Sequence, residues 1–209
     1  MISSDNFLDA MQRRHACKLF DETKRISKEK LELILEYGRL SPSSFGMEPW
    51  RFLVVQSQEM KEKLRSFCWD QPQIMTCSDL VLIKTVISPL APGSKYSRDM
   101  LSRRDLPKDR IEAYFDIYDK FATAKMAGEG IFSWSSRQCY IAAANMMTGA
   151  AAMGIDSCPI EGFEKEKIES LLNMDPTKEE LALIIAFGYR VNEVTKKVRL
   201  SLDKIVEYI

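Results

Sequence analysis

The densest group of side chains that could do chemistry is a basic segment near the start of the chain, Arg13–Phe20. Within it Arg14, Ala16 and Lys18 alternate, so in an extended backbone they project to the same side. Two cations on one side of such a segment are suited to a phosphate and to the electron-rich edge of a ring. The alternative is a solvated run of charge, which is the usual fate of basic clusters.

A second cationic pair, Lys197 and Arg199, has the same two-residue spacing near the other end of the sequence. Each basic pair is weak evidence when it is considered alone. One phosphate bound from both ends of the chain would explain why there are two of them.

A third candidate is the segment Cys158–Phe163, in which Pro159 and Gly162 flank Ile160 and Glu161. Proline and glycine at these positions predict a fixed turn that leaves the amides of Glu161 and Gly162 available to a ligand. A plain connection between two helices is an equally good interpretation of the same residues.

A rigid loop is predicted for Ser41–Phe52, because its two prolines, three serines and glycine exclude a continuing helix. The loop also carries Phe45, Met47 and Trp50, which an ordinary solvated loop has little reason to hold. It is therefore suited to covering a flat molecule. The plainer interpretation is a connector whose Trp50 fills the protein's own core.

No side-chain catalytic constellation is present. His15 is the only histidine, and there is no Gly-x-Ser-x-Gly, Gly-x-Gly-x-x-Gly or Walker sequence. The cysteines number five and show no zinc spacing; they are Cys17, Cys68, Cys77, Cys139 and Cys158. If the protein is an enzyme, a cofactor must carry the difficult chemistry.

The composition is that of an ordinary globular protein, with 209 residues, 45% of them apolar and 29% charged. Thirty basic and thirty acidic residues cancel, so nothing points to nucleic acid or a membrane surface as partner. The apolar stretch 139–155 is shorter than the roughly 20 residues of a membrane span and predicts a buried helix. Without a secretory signal, and with reduced thiols, a cytoplasmic location is expected.

Hydrophobic periodicity predicts a mixture of helices and a few buried strands. Helices are expected at 5–12, 27–41, 58–67, 109–125, 133–153 and 164–172, and strands at 52–55, 80–86 and 181–189. Residues 88–107 hold three prolines and are expected to be irregular, within an excursion of about 88–133. No repeat or linker is visible, so a single domain over 1–209, of α+β or α/β class, is predicted.

Taken in order, four motifs resemble the nitroreductase family of flavin enzymes. They are Arg14-His15-x-x-Lys18-x-Phe20, Ser41-Pro42-Ser43-Ser44 with Pro49-Trp50-x-Phe52, Pro159-Ile160-Glu161-Gly162-Phe163, and Lys197-x-Arg199. The resemblance extends over nearly the whole chain, and the order of the motifs makes it specific.

The resemblance implies an α+β fold with a mixed central sheet wrapped by helices. It implies an intertwined homodimer with FMN at the subunit interface and a C-terminal tail, 190–209, that extends over the partner. The implied activity transfers hydride from NAD(P)H through flavin N5 to nitroaromatic, quinone or similar flat acceptors by a ping-pong scheme. A free-flavin reductase, another branch of the superfamily, or a non-catalytic flavin-binding protein are the alternatives.

The resemblance also assigns a set of residues to FMN binding and no side chain to catalysis. They are Arg14, His15, Ala16, Lys18, Pro42, Ser43, Ser44, Gly46, Asp70, Gln71, Gln73, Pro159, Ile160, Glu161, Gly162, Lys197 and Arg199. Residues 42–46 would come from the other subunit, and the match of residues 70–73 is looser.

Within that set the implied roles differ. Arg14 and Arg199 would meet the FMN phosphate with Lys197 close by, and Ala16 would offer its backbone near the flavin. Lys18 would approach the N1/O2 edge of the ring and tune the flavin. Residues 160–162 would present backbone to the N5/O4 side, with Glu161 flanking the ring.

The chain departs from the family pattern at four positions. Gly46 stands where the family usually has Asn, and Glu48 replaces the common Gln. Ala16 and Cys17 replace hydroxyl residues, and the cysteine resembles a subgroup that reduces nitroimidazole-type drugs. Cys17 would then lie near the flavin and alter its potential; a buried inert thiol is the alternative.

Overall fold

The computed structural model describes residues 4–209, with side chains from residue 6 onward. Residues 1–3, where a secretory signal was not expected, lie outside the described part. Four strands form one sheet in the order β1-β2-β4-β3, with β1 Trp50–Val55, β2 Asp79–Val86, β3 Asp156–Ile160 and β4 Glu179–Gly188.

All three strand pairs in this sheet are antiparallel. Among the described residues, parallel pairing is confined to an isolated bridge between Ala16 and Ser157. The mixed character of the predicted sheet therefore depends on this one bridge, which joins the basic segment to the edge strand β3. The α+β class is confirmed.

Eight α-helices surround the sheet in the described part of the chain. They are α1 Ser4–Arg13, α2 Lys28–Arg39, α3 Gln58–Phe67, α4 Gln73–Thr76, α5 Lys95–Ser102, α6 Lys108–Ala127, α7 Ile131–Ala152 and α8 Lys165–Leu171. The predicted cap of α2 is present, since Ser27 Oγ accepts a hydrogen bond from the Lys30 amide at 3.4 Å. Gly154, with φ +77°, follows α7 and takes the left-handed conformation that ends a helix.

Both faces of the sheet are covered. Ile34 of α2 and Met146 of α7 pack on one face, and Leu64 of α3 and Ile168 of α8 pack on the other. Burial of each such side chain contributes about 1.5–3 kcal/mol. Trp50 is only 5% exposed and belongs to the first of these cores, so it fills the protein's own interior.

The small residues of α7 let α2 approach it closely. A Cβ on Gly149 would lie 2.1 Å from the Tyr37 ring, so no larger residue fits there without displacing that ring. The helix is not buried on all sides, however. Tyr140, Ile141 and Ala144 form an exposed stripe along it, which corrects the prediction of a fully buried helix.

Two segments that were predicted to be irregular contain regular elements. Helix α5 lies inside the excursion, and its start is capped because Ser94 Oγ accepts a hydrogen bond from the Ser97 amide at 3.1 Å. Pro159 and Ile160 belong to β3 and not to a turn. Proline is tolerated there because β3 is an edge strand, where a missing amide donor breaks no ladder.

The tail after β4 is mostly irregular, apart from a short 3-10 turn at Leu202–Lys204. Its apolar side chains have no cover within the chain: Val198, Leu200 and Leu202 are 82%, 69% and 74% exposed. Exposed apolar residues in such number indicate a surface that meets another molecule.

No helix between residues 4 and 209 combines the length and the apolar character needed to cross a membrane. The described side chains likewise contain no group of three or more His, Cys, Asp or Glu able to hold a metal ion. All five cysteines are free and buried.

Candidate functional site

The basic segment is extended, which is the backbone in which Arg14, Ala16 and Lys18 project to the same side. Its Cys17 amide donates a hydrogen bond to the Ser157 carbonyl at 3.0 Å, next to the Ala16–Ser157 bridge. Cys17 points inward and is 2% exposed, whereas Ala16 and Lys18 face outward. The edge strand β3 therefore fixes which side chains of the segment reach the surface.

The start of the C-terminal tail is tied to the same edge by Asp156. Its buried carboxylate accepts hydrogen bonds at 2.9 Å from both the amide and the guanidinium of Arg190. The ring of His15 lies on this carboxylate too, with Nδ1 3.8 Å from Oδ1. The sequence analysis did not identify Asp156, because a single aspartate after a helix carries no distinctive spacing.

Further along, the tail returns to the basic segment. The Lys197 ammonium donates a hydrogen bond to the Arg14 carbonyl across 183 positions of sequence. Burial lowers the pKa of Lys197, and the positive charges of Arg14 and Arg199 lower it further. No carboxylate among the described side chains lies within 4.0 Å of these three cations. Their uncompensated charge makes an anion site of the kind that a phosphate fits.

Lys18 and the buried side-chain amide of Gln73 contact the same atom, the sulfur of Cys158. Lys18 Nζ donates to Cys158 Sγ at 3.5 Å, and Gln73 Nε2 approaches the same sulfur at 3.7 Å. Gln73 is 1% exposed, and its Oε1 has no hydrogen-bond partner among the described residues. An unsatisfied buried acceptor costs about 1–3 kcal/mol, so a donor that reached this oxygen would stabilise the site.

Gln71 connects Gln73 to the end of β3. Its Nε2 donates to the Gly162 carbonyl at 2.9 Å, while its Oε1 accepts from Gln73 at 2.8 Å. Trp69 lies directly against Gly162, where a Cβ would be 2.5 Å from the indole. Asp70 is turned away from this network and pairs with Arg65 at 3.2 Å.

The backbone at this turn is strained. Trp69 and Asp70 have φ values of +56° and +50°, in the left-handed region that side chains rarely adopt. Consecutive residues of this kind persist only where the surroundings hold them, and they concentrate at functional sites. The indole of Trp69 is 66% exposed despite its size.

Glu161 follows β3, and its carboxylate points toward α7. Its Oε1 accepts a hydrogen bond from the Tyr140 hydroxyl at 2.8 Å. Burial raises the pKa of Tyr140, and the adjacent carboxylate raises it further.

The serine-rich loop is anchored on the other side of α7. The Ser44 amide donates to Gln138 Oε1 at 2.9 Å, and the Glu48 amide donates to Ser43 Oγ at 2.9 Å. Gln138 and Tyr140 are two positions apart, so they project about 200° apart around the helix. Within one chain the loop and Glu161 therefore lie on opposite faces of α7.

This geometry divides the predicted site residues into two groups. The basic pairs, Lys18, the two glutamines and residues 159–162 converge along β3. The loop residues Pro42, Ser43, Ser44 and Gly46 do not join them within one chain.

Cys17 is a buried thiol. Its Sγ donates to the Leu19 carbonyl at 3.3 Å, and burial raises its pKa from 9.0 to about 11. These observations favour the inert thiol over one that faces a cofactor.

Comparison with known proteins gives a consistent result. The sequence profile described as "Nitroreductase family" matches residues 11–189. "Putative NAD(P)H nitroreductase YfkO" of Bacillus subtilis (strain 168) is 40% identical over 216 residues, which cover 97% of this chain and 96% of that protein.

Two solved structures share the fold. One, from Exiguobacterium sibiricum, is described as a "putative nitroreductase in complex with FMN"; its TM-score is 0.84 at 23% identity, covering 97% of each chain. The other, a "putative NAD(P)H:FMN oxidoreductase" from Staphylococcus epidermidis, has a TM-score of 0.81 at 27% identity and covers 100% of this chain and 98% of its own. With a family profile that spans most of its length and a full-length relative at 40% identity, this chain belongs to the nitroreductase family.

Proposed function

We propose that the protein is an FMN-dependent oxidoreductase that transfers hydride from NADH or NADPH to a nitroaromatic, a quinone or a similar flat acceptor. The observation that carries the proposal is the convergence of Arg14, Lys197 and Arg199, without a carboxylate among the described side chains, beside Lys18 and the unpaired Gln73 oxygen. The names of the relatives support both the cofactor and the nicotinamide donor.

The residues present fit FMN at both of its ends. The three cations would hold the phosphate, and the Gln73 Oε1 atom would accept a hydrogen bond from a ring N–H. Position 162 has to be glycine, because the Trp69 indole already occupies the space that a Cβ would take there. When bound, FMN supplies the atom that accepts and donates hydride, so no side chain has to react.

The chain's own contribution is electrostatic and positional. Lys18 would place a cation at the pyrimidine edge of the ring, where reduction leaves negative charge. Its thiol acceptor, Cys158, holds the ammonium only weakly, because sulfur accepts hydrogen bonds poorly. The ammonium can therefore turn toward a stronger acceptor on the ring. The side chains of Gln71 and Gln73 brace this edge through their mutual hydrogen bond.

We propose that the functional unit is a homodimer. The exposed stripe of α7 borders a groove of about 990 Å³ between α1, α2 and α7, lined by small and apolar residues such as Ala10, Leu40 and Ala152. A second copy that packs on this stripe would bring its loop 42–46 to the site that the first copy leaves incomplete. The uncovered apolar side chains of the tail 190–209 would be buried by the same association.

The proposed scheme is ping-pong, with donor and acceptor using the same open face in turn. A free-flavin reductase is the second candidate, because the relative from Staphylococcus epidermidis is named for reduction of FMN. Both candidates fit the five buried, free cysteines and the cytoplasmic location that we propose with them.

The test is an absorbance spectrum of the purified protein, with FMN added if the preparation is colourless, followed by steady-state rates. We expect bound FMN and faster turnover with a nitroaromatic or quinone than with free FMN. Turnover that is faster with free FMN would favour the second candidate. Protein that stays colourless and takes up no FMN would refute both.

A further inference from the structure

We propose that Arg104 selects acceptors that carry a carboxylate on their aromatic ring. The residue follows α5, in the excursion between β2 and α6, and no motif of the sequence includes it. The inference extends the proposed function and depends on it, because it concerns the acceptor that binds over FMN.

Arg104 is fixed to the serine-rich loop at the point where the chain departs from its family. Its Nη2 donates a hydrogen bond to the Phe45 carbonyl at 2.9 Å. A Cβ built on Gly46 would point toward the same Nη2 atom, 3.8 Å away, with no other atom within 4 Å. The guanidinium therefore lies in the direction that a side chain at position 46 would take.

The charge of Arg104 is not neutralised within the described part of the chain. No described carboxylate lies within 4.0 Å of it, and its guanidinium stacks over the Tyr114 ring at 4.6 Å from the ring centroid. Its neighbour Arg103, in contrast, pairs with the Glu48 carboxylate at 2.7 Å. A half-buried guanidinium with free N–H groups is a planar fork suited to a carboxylate.

The loop that carries this cation is held firmly. The Tyr96 hydroxyl donates to the carbonyl groups of Met47 and Glu48 at 2.7 and 3.0 Å. Phe45 and Glu48 have φ values of +56° and +42°, so the loop has a defined and strained shape. Wherever the loop docks in the dimer, the Arg104 guanidinium is carried with it.

The position of Arg104 along the cofactor makes an acidic acceptor a better partner for its guanidinium than the phosphate of NADPH. In the proposed dimer, a loop suited to covering a flat molecule would lie at the ring end of the partner's FMN, which is the end where the acceptor stacks. The additional phosphate of NADPH lies at the far end of the dinucleotide from the nicotinamide. One arginine side chain at ring level therefore reaches a substituent of the acceptor.

The experiment compares 4-nitrobenzoate with 4-nitrobenzamide, which has the same shape without the charge. For FMN-loaded protein, the quantity compared is kcat/KM for 4-nitrobenzoate divided by kcat/KM for 4-nitrobenzamide. We expect Arg104→Gln to lower this ratio by roughly 10-fold or more, which is the usual effect of losing a hydrogen bond to a charged group. Arg104→Lys should retain part of the preference. Arg110→Gln, at an exposed position of α6, is the control, and we expect it to leave the ratio unchanged.

Equilibrium binding of benzoate and benzamide to the oxidised, FMN-loaded protein, followed by the change in flavin absorbance, separates the two proposals. Benzoate binding that weakens selectively in Arg104→Gln supports the inference even if neither nitro compound is reduced, and the proposed function would then be the part that fails. An equal loss for the charged and neutral ligands would overturn the inference. So would an effect confined to the KM of NADPH.

Discussion

The Lys18 ammonium donates a hydrogen bond to the sulfur of Cys158, 3.5 Å away and 140 positions later in the sequence. This contact joins the first sequence motif to the third. Gln73 reaches the same sulfur from α4 at 3.7 Å. A cation and a buried side-chain amide thus meet at the middle of the edge strand β3, which is the centre of the proposed cofactor site.

Replacing Lys18 with Ala should lower the reduction potential of bound FMN. A cation beside the ring stabilises the reduced, more negative form, and a surface charge pair is worth about 1–4 kcal/mol. A loss of about 1.4 kcal/mol corresponds to about 30 mV for a two-electron couple. Potentiometric titration against a reference dye measures this, with Lys28→Ala as the control at an exposed helical site. An unchanged potential with intact FMN binding would mean that Lys18 does not stabilise the reduced flavin.

Replacing Arg14 or Arg199 with Ala should weaken FMN binding by about 10–100-fold, since hydrogen bonds to charged groups contribute about 1.5–3 kcal/mol. Riboflavin, which lacks the phosphate, should bind the variants and the wild type alike. Fluorescence titration with both flavins measures the difference. The control is Lys63→Ala, because Lys63 pairs with Glu59 at 2.7 Å on the surface of α3. Equal losses for FMN and riboflavin would place the phosphate elsewhere.

Buried thiols should destabilise the fold at alkaline pH. Burial raises the pKa of Cys139 from 9.0 to about 12, so the folded protein keeps a proton that the unfolded chain loses. The free energy of unfolding should therefore fall as pH rises from about 9 to about 12, by up to about 1.4 kcal/mol per pH unit for each such thiol.

Urea unfolding across this pH range checks the prediction. The variant Cys139→Ala should show a shallower decrease than the wild type, whatever its stability at neutral pH. Parallel curves for the two proteins would mean that this thiol does not contribute to the pH dependence.

A charge on the exposed stripe of α7 should separate the subunits. Ala144 is exposed in the single chain, so Ala144→Glu should leave the protomer folded while placing a carboxylate in the proposed interface. Light scattering after size exclusion should show a monomer, and the FMN content should fall with it. Ser170→Glu, at an exposed site on α8, is the control and should remain dimeric. Dimeric Ala144→Glu with full FMN content would contradict the proposed interface.

Local patterns predicted the local parts of this structure well. Ser27 predicted the start of α2, because a helix cap depends only on neighbouring positions. The turn predicted at Pro159 was wrong, because proline indicates a turn unless it lies in a strand at a sheet edge. That edge position depends on the order of the strands, which the sequence alone did not establish.

The contacts that complete the site could not be predicted, for a similar reason. The pairing of Asp156 with Arg190 and the orphaned Gln73 oxygen arise from tertiary packing between distant segments. Neither feature produces a recognisable spacing of residues in the sequence. The family resemblance supplied the residues that we propose to bind the cofactor, but not Arg104, because Arg104 belongs to no family motif.

The proposed hydride transfer is tested best by anaerobic addition of NADH, and separately NADPH, to the FMN-loaded protein while its visible absorbance is recorded. We expect that at least one nicotinamide bleaches the flavin band and that a nitroaromatic or quinone then restores it. Bound FMN that neither nicotinamide bleaches would refute the proposed activity, because the protein would then bind flavin without using it.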